Sequence, residues 1–268
     1  MNGDAHPRVH GGLLRLAIRA HSAARHRELH TVFQTSTMSA LLAGVYDGDV
    51  SIAELLDHGD FGLGTFNHLD GELVIVDGVC HHLRADGTAT RAGASELTPF
   101  AVVTWFRPQL SMTIDAPMSY AELGELVTAK VDNANVIHAI KVTGRFQRVR
   151  TRTVARQHQP YPPLTEATKG QTEAVFTDVS GTLVGYLTPD YEQGISVAGY
   201  HLHFISADER HGGHCLDFTL ETGTVEVDTE NDVHLSLPRS EEFRSAALSS
   251  ESVDAQVREA EGGRSASE

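Results

Sequence analysis

The alternation of hydrophobic and polar residues predicts mostly short β-strands, interrupted by a few helices. Helical spacing follows residues 35–37, and capping-box sequences at residues 51–54 and 119–122 mark the start of two further helices. Apolar runs separated by Asp-Gly pairs predict antiparallel hairpins, of which residues 72–84 are the clearest. The pattern therefore indicates an α+β fold.

A proline-rich segment at residues 157–164 predicts an extended connector between two halves. Before it, residues 136–142 and 145–154 predict two strands on either side of Gly144, and the strands after it are also predicted to be short. We expect a mainly disordered extension at residues 1–29 and an N-terminal α+β half at residues 30–158. A β-rich half with the histidine site should follow at residues 159–238, and a tail at residues 239–268.

Composition narrows the possible partners. The chain has 268 residues, is 40% hydrophobic and carries a formal net charge of -15, so it can bury a full core and repels polyanions. Basic runs interleaved with aromatic residues are missing, and so are apolar runs of 18 residues. We therefore expect a small-molecule substrate, and neither nucleic acid nor a membrane as partner.

The two cysteines lie far apart in sequence, at Cys80 and Cys215. Both fall in apolar strand-like runs, which predicts buried, reduced thiols rather than a disulfide framework. Cys215 follows His214 and would point to the opposite face of the same strand, which argues against a role as a metal ligand. This cysteine usage favours a cytoplasmic protein.

Residues 199–214 hold the strongest candidate for chemistry. His201 and His203 are two apart in a predicted strand and so share one face, while the Gly-Gly pair at 212–213 predicts a tight return that places His214 beside them. Three imidazole nitrogens with an open coordination position are typical of a catalytic site for zinc or a similar metal. The chain contains 16 histidines, however, and an isolated His-x-His pair more often packs or faces solvent.

Charged residues in the first half are more ambiguous. Arg148, Arg150 and Arg152 alternate with other residues, which places three guanidinium groups on one face of a strand. Such a face is usually solvated, but in an acidic chain one arginine reaching a pocket would suit a substrate carboxylate. Glu72 enters an apolar strand after a turn, and this position alone favours exposure over burial in a cavity.

Several further motifs occur in order along the chain. They are Thr-Ser-Thr-Met at 35–38, Gly-Asp-Phe-Gly-Leu-Gly-Thr-Phe at 59–66, Leu-Asp-Gly-Glu-Leu at 69–73, Thr-Arg-Thr at 151–153 and Gly-Tyr-His-Leu-His-Phe at 199–204. Together they closely resemble the alpha-acetolactate decarboxylases, from about residue 30 to 264. The resemblance implies a homodimer whose subunits have two related α+β halves built on mixed sheets.

The resemblance also implies roles for individual residues. The zinc ligands that it implies are His201, His203 and His214. The other site residues that it implies are the catalytic carboxylates Glu72 and Glu261, the arginine near the substrate, Arg152, and a threonine lining the pocket, Thr65. It also implies that the tail at residues 239–268 folds back toward the active site and brings Glu261 near the metal. The chain departs from the family pattern in the predicted hairpin region, at His68, Cys80, His81 and His82.

This family would convert (2S)-2-acetolactate to (R)-acetoin and CO2. Loss of CO2 from a 2-hydroxy-3-oxo acid leaves electron density, which Zn2+ or another divalent metal can stabilise as a Lewis acid. Arg152 would hold the carboxylate, and Glu72 and Glu261 would deliver the proton, a role that a raised pKa favours. Two alternatives remain open from the sequence: a non-catalytic metal- or ligand-binding module, and a zinc hydrolase of cupin-like build.

Overall fold

The computed structural model describes residues 30–131, 133–248 and 253–261, so the extension predicted at residues 1–29 lies outside the described residues. The strands are β1 (Thr31–Thr35), β2 (Val50–Ser51), β3 (Phe61–Thr65), β4 (Glu72–Val76), β5 (Val79–Leu83), β6 (Ala89–Arg91), β7 (Leu97–Thr98), β8 (Phe100–Thr104), β9 (Leu110–Ile114), β10 (Met118–Ser119), β11 (Ile137–Thr153), β12 (Thr172–Thr188), β13 (Gly199–Ser206), β14 (Gly212–Glu230) and β15 (Asp232–Ser236). The α-helices are α1 (Met38–Leu42), α2 (Ile52–Leu56), α3 (Tyr120–Lys130), α4 (Leu164–Ala167), α5 (Glu241–Ser245) and α6 (Val253–Glu261), and short 3₁₀ turns occupy Asn67–Leu69, Thr168–Gly170 and Asp190–Glu192. Within the described ranges no helix is long and apolar enough to cross a membrane.

The predicted α+β class is confirmed, since strands dominate and the helices are few and short. A first sheet has the strand order β15-β1-β8-β3-β4-β5-β6, with β1 and β15 parallel and the other pairs antiparallel. A second sheet has the order β10-β14-β11-β12-β13, with β9 beside β14. Because β13 also pairs with the start of β14, this second sheet closes on itself there.

Local signals of the sequence explain where several elements begin. The Ser51 side chain accepts a hydrogen bond from the Glu54 backbone, and Ser119 and Glu122 form the predicted capping box at the start of α3. Asp77 and Gly78 both have positive φ, which the two-residue turn between β4 and β5 requires. These short-range predictions are confirmed because each depends only on neighbours in the chain.

The strands of the second sheet are longer than predicted. Residues 137–153 form one 17-residue strand, so the predicted break at Gly144 is wrong. Gly144 pairs with Gly181 on β12 and with Gly223 on β14, so three glycines lie side by side across the sheet. A Cβ on Gly144 would lie 2.2 Å from a main-chain oxygen of β14, which shows that the glycine serves close strand packing rather than a turn.

The two sheets share one hydrophobic core. Leu63 and Val74 of the first sheet pack in the same buried cluster as Val184 and Ile205 of the second. Strands β9, β10 and β11 precede residue 158 and belong to the second sheet, so the predicted domain boundary does not coincide with the division between the sheets. The division into domains stays a prediction.

Helix α6 packs back against this shared core, where Val257 and Ala260 are both 2% exposed. Burying a side chain such as valine contributes about 1.5–3 kcal/mol. This packing brings the last described residue, Glu261, to the edge of the core where the strands of both sheets meet.

Candidate active site

Three histidines meet where β13 returns into β14. His203 and His214 are register partners across these two strands, and His201 lies two residues before His203 on the same face. The three ring centroids are 5.1–5.4 Å apart, and one possible ligand atom from each ring lies within 4.8 Å of the others. Among the described residues, this is the one group found with the spacing of a metal site.

The predicted role of the Gly-Gly pair is wrong in its detail. The chain turns at residues 207–211, and Gly212 and Gly213 already belong to β14. A Cβ on Gly212 would lie 2.3 Å from the main-chain oxygen of Phe204, so Gly212 allows β13 and β14 to approach closely. The consequence for His214 is the predicted one, because the hairpin places it beside His203.

Hydrogen bonds select the nitrogen that each of two rings presents. Nδ1 of His203 donates to the main-chain oxygen of Leu73 at 2.8 Å, so its Nε2 is the unprotonated nitrogen. This Nε2 is buried and has no hydrogen-bond partner among the described residues. Nε2 of His214 lies 3.2 Å from the main-chain oxygen of Glu261, which leaves Nδ1 of His214 unprotonated.

Burial also keeps the three rings neutral. It lowers the pKa of His201 and of His203 to about 3, with the Arg152 charge adding to the effect at His201 and the His201 ring at His203. Burial and then Arg152 lower the pKa of His214 well below its usual value. Neutral imidazoles are the form that binds a metal, so the electrostatics suit the donor set.

Glu72 is buried beside the histidines, and the exposure favoured by its sequence position is wrong. Its carboxylate Oε2 lies 3.7 Å from Nε2 of His203, and the residue is 9% exposed. Burial raises the pKa of Glu72 to about 8, against the lowering effect of the Arg152 charge. Glu72 therefore carries a proton at neutral pH in the metal-free protein.

Arg152 is the one arginine of its strand face that enters the site. Arg148 and Arg150 are partly exposed and pair with Asp217 at 3.2 Å and Glu173 at 3.5 Å. A register shift between Arg150 and Thr151 relative to β14 precedes Arg152, which pairs with His214 and is 3% exposed. This bulge separates the buried guanidinium from the two solvated ones.

The C-terminal helix supplies the last charged group. Oε2 of Glu261 lies 2.9 Å from Nη2 of Arg152, 3.5 Å from Nδ1 of His214 and 3.8 Å from Nε2 of His201. Nη1 of Arg152 donates to Gln171 at 3.3 Å, while its buried Nε has no partner in the described part of the chain. The guanidinium therefore keeps N–H donors, the buried Nε–H among them, that no side chain of the described residues uses.

A small cavity opens between these groups. Thr65 lines it together with Glu72, Arg152, His201, His203 and Glu261, and the Thr65 hydroxyl donates to the main-chain oxygen of Gly71 at 2.6 Å. The structure thus brings together all the residues that the sequence proposed for the site, with His214 just behind the cavity lining. The remaining lining is mainly apolar, and it consists of Met38, Leu41, Gly64, Leu69, Phe100, Val154 and Leu164.

The apolar wall of the cavity is not predicted by the sequence. Leu69, Phe100 and Leu164 come from three separated segments, and an apolar residue that lines a cavity has the same sequence pattern as one in the core. Their meeting depends on the docking of the two sheets. The apolar wall borders a site that combines three histidines able to hold a metal, a carboxyl with a raised pKa and a cation, which suits a small, polar, anionic substrate with short apolar groups.

Comparison with known proteins gives one consistent result. The family model described as alpha-acetolactate decarboxylase matches residues 32–250. The alpha-acetolactate decarboxylase of Raoultella terrigena is 44% identical over 244 residues, which is 91% of this chain and 93% of that protein. The family match covers the strands that carry the histidines, Glu72 and Arg152, and it ends before α6, which carries Glu261.

Solved structures agree with the sequence match. The crystal structure of alpha-acetolactate decarboxylase from Bacillus subtilis strain 168 superposes with a TM-score of 0.86 at 42% identity, covering 87% of this chain and 100% of that one. A Staphylococcus aureus protein of unknown function, described as similar to alpha-acetolactate decarboxylase, gives a TM-score of 0.83 at 28% identity, covering 86% and 99%.

Proposed function

The chain belongs to the alpha-acetolactate decarboxylase family, and we propose that its site uses zinc to convert (2S)-2-acetolactate to (R)-acetoin and CO2. The observation that carries the proposal is the buried Glu72 carboxyl placed 3.7 Å from the Nε2 of His203, which has no hydrogen-bond partner among the described residues. A proton donor and a metal-binding nitrogen thus face the same small cavity. The family assignment argues against the cupin-like hydrolase, and the turnover assay described below separates the decarboxylase from a non-catalytic module.

The three histidines fit a metal ion. His203 presents a buried nitrogen that lacks any hydrogen-bond partner in the described ranges, and its other nitrogen is fixed by Leu73, as is usual for a metal ligand. Three neutral imidazoles suit Zn2+, and other divalent metals accept the same donors. When bound by His201, His203 and His214, the ion would act as a Lewis acid that stabilises negative charge developing on substrate oxygens.

Arg152 binds the substrate carboxylate in this proposal. Its buried Nε has no partner among the described residues, and the Glu261 carboxylate on Nη2 shows that the guanidinium already binds an anion. A guanidinium holding the carboxylate fixes the scissile bond relative to Glu72. Thr65 lines the same cavity next to Glu72 and would limit the space beside the substrate.

Glu72 supplies the proton. Loss of CO2 breaks the bond between the carboxylate and the carbinol carbon, and the electron pair stays on that carbon beside the ketone. Glu72 then donates its proton to that carbon, which forms acetoin. A carboxyl with a pKa of about 8 is protonated before the reaction and acidic enough to release the proton. Glu261, held by Arg152, would relay a proton from solvent to restore Glu72.

The proposal is tested by assaying acetoin and CO2 from racemic acetolactate, with zinc-loaded and chelator-treated protein. We expect turnover that chelation abolishes and added zinc restores. Glu72→Gln should lower kcat by about 100-fold or more, with zinc content unchanged. Glu125→Gln, an exposed position on α3, is the matched control. Full turnover in metal-free protein, or in Glu72→Gln, would overturn the mechanism.

Assembly and location complete the proposal. The homodimer implied by the family resemblance is checked by the mass in solution, for which analytical ultracentrifugation should give twice the mass of one chain. Cys80 and Cys215 are buried and free, as predicted from the sequence. Free thiols support the proposed cytoplasmic location.

A further inference from the structure

His82 is a buried histidine outside the metal site. It lies on β5, is 2% exposed and stacks on Phe66 with ring centroids 3.8 Å apart and planes 18° from parallel. The side chains of His82 and the neighbouring His81 lie on opposite faces of the sheet, because successive side chains of a strand alternate between its two faces. Its hydrogen bonds run toward the turn that precedes Glu72.

Both ring nitrogens of His82 are used. Nε2 donates to the main-chain oxygen of Asp70 at 2.5 Å, and Nδ1 lies 3.1 Å from Oε2 of Glu96. The proton on Nε2 makes the bond to the Asp70 oxygen, and the contact of Nδ1 with Glu96 fixes the other side of the ring. Glu96 is itself fixed by the Gly93 backbone, which donates to Oε1 at 2.6 Å.

The turn that His82 holds is the one that delivers Glu72. The Asp70 oxygen accepts from His82 on β5, and the next main-chain oxygen, that of Gly71, accepts from Thr65 on β3 at 2.6 Å. Two consecutive peptide groups are thus held from the two strands that flank β4. Gly71 has φ +79°, and a Cβ there would lie 2.1 Å from a main-chain oxygen of β5, so the turn has little room to shift.

We propose that His82 is a positioning residue for the decarboxylation, which holds the Asp70–Gly71 turn so that the Glu72 carboxyl faces the metal-binding histidines. The inference rests on the proposed role of Glu72 as proton donor. Glu72 follows the held turn directly, and its carboxyl ends 3.7 Å from Nε2 of His203. A loosened turn would displace the carboxyl, whereas His203 stays bonded to the Leu73 oxygen within β4. In the described residues no hydrogen bond joins His82 or Glu96 to the three histidines of the site.

Four variants test this positioning role. His82→Phe keeps a ring over Phe66 and removes both ring nitrogens, while His82→Gln restores a donor near the Nε2 position. His81→Phe is the matched control, since His81 is equally buried, at 1% exposed, and points to the other face of the sheet. Glu72→Gln is the reference for loss of the carboxyl itself. Zinc content, kcat and KM for acetolactate are measured for each.

We expect His82→Phe to lower kcat by about 10- to 100-fold with zinc content and KM unchanged, as for outer residues that orient a reacting group. His82→Gln should regain most of kcat, and His81→Phe should keep it. The double variant Glu72→Gln/His82→Phe should be no slower than Glu72→Gln alone, because both changes act through one carboxyl.

Two results would overturn the inference. The first is a kcat of His82→Phe equal to that of His81→Phe, with Glu72→Gln slow. The second is a kcat of the double variant that lies below that of Glu72→Gln by the same factor by which His82→Phe lowers the kcat of the parent. Normal turnover in Glu72→Gln overturns the proposed function instead, so the two failures are distinct. If His82→Phe does not fold, His82→Gln against His82→Asn decides, because asparagine does not reach the Asp70 oxygen and should be the slower of the two.

Discussion

The ion pair between Glu261 and Arg152 should hold helix α6 against the site, and Glu261→Gln tests this by removing the charge while keeping the size of the side chain. Oε2 of Glu261 lies 2.9 Å from Nη2 of Arg152, with side chains 13% and 4% exposed. The main-chain oxygen of Glu261 also accepts from His214, and this bond survives the substitution. The expected change is therefore a weaker attachment of α6 rather than its loss.

The magnitude follows from opposing electrostatic effects. Two unit charges 2.9 Å apart attract by about 6 kcal/mol at an effective dielectric constant of about 20. Desolvation of both groups offsets much of this attraction, and a net value of about 1.5–3 kcal/mol is usual for a hydrogen bond between charged partners. Since about 1.4 kcal/mol is a factor of ten, α6 should detach about 10- to 150-fold more often in the variant.

Hydrogen exchange followed by mass spectrometry measures this detachment in the peptide that covers residues 253–261. Glu259→Gln is the matched control, because it makes the same charge change at an exposed position of the same helix. We expect faster exchange of α6 in Glu261→Gln alone, with the exchange of β3 and β4 unchanged. Equal exchange in the two variants would refute the reasoning, and would leave any loss of turnover in Glu261→Gln to proton transfer.

Three further predictions follow from the site and its supports. Burial raises the pKa of Glu72 from 4.5 to about 8, so the folded state keeps a proton that the unfolded state releases, and this contribution to stability is lost as the pH rises through that window. In thermal unfolding of the metal-free protein, the Tm of Glu72→Gln should rise relative to that of the parent between pH 4.5 and 8. An identical change of Tm with pH in the two proteins would contradict this. Gly71→Ala should lower the free energy of unfolding in urea by more than Gly87→Ala does, because a Cβ at 71 would lie 2.1 Å from a carbonyl oxygen and a Cβ at 87 would have nothing within 4 Å. Gly87→Ala should cost only about 1–2 kcal/mol, from its left-handed backbone. Equal losses in the two variants would count against the packing argument. Arg152→Gln should lower kcat/KM by about 10- to 100-fold through its lost charged hydrogen bonds, whereas Arg150→Gln, at a partly exposed position of the same strand, should leave it unchanged.

The features that the sequence predicted are those that depend on near neighbours. The Asp-Gly turn at 77–78 and the capping serine at 119 require only a few adjacent residues. His201 and His203 share a face because strand periodicity is local. Their convergence with His214 depended on a hairpin only a few residues long, which is why spacing alone suggested the metal site.

The features that the sequence left open or wrong depend on distant packing. Glu72 looked exposed because its own turn says nothing of β13, which covers it and brings His203 within 3.7 Å. Gly144 looked like a break because its partners, Gly181 and Gly223, lie 37 and 79 residues further along the chain. Glu261 was assigned through resemblance alone, since a charged residue in a terminal helix has no sequence signal for burial.

The parallel pairing of β1 with β15 constrains how the chain can fold. Thr31 on β1 pairs with Asp232 on β15, the edge strand of the first sheet. In the sequence, all strands of the second sheet lie between β1 and β15. Long-range pairing of this kind slows folding, because the entropy of closing the loop is lost before the contacts are gained. The first sheet can add its outermost strand only after the second sheet has been synthesised. We therefore expect slow refolding, with the two sheets unfolding in one cooperative transition that intrinsic fluorescence and circular dichroism should report at the same denaturant concentration.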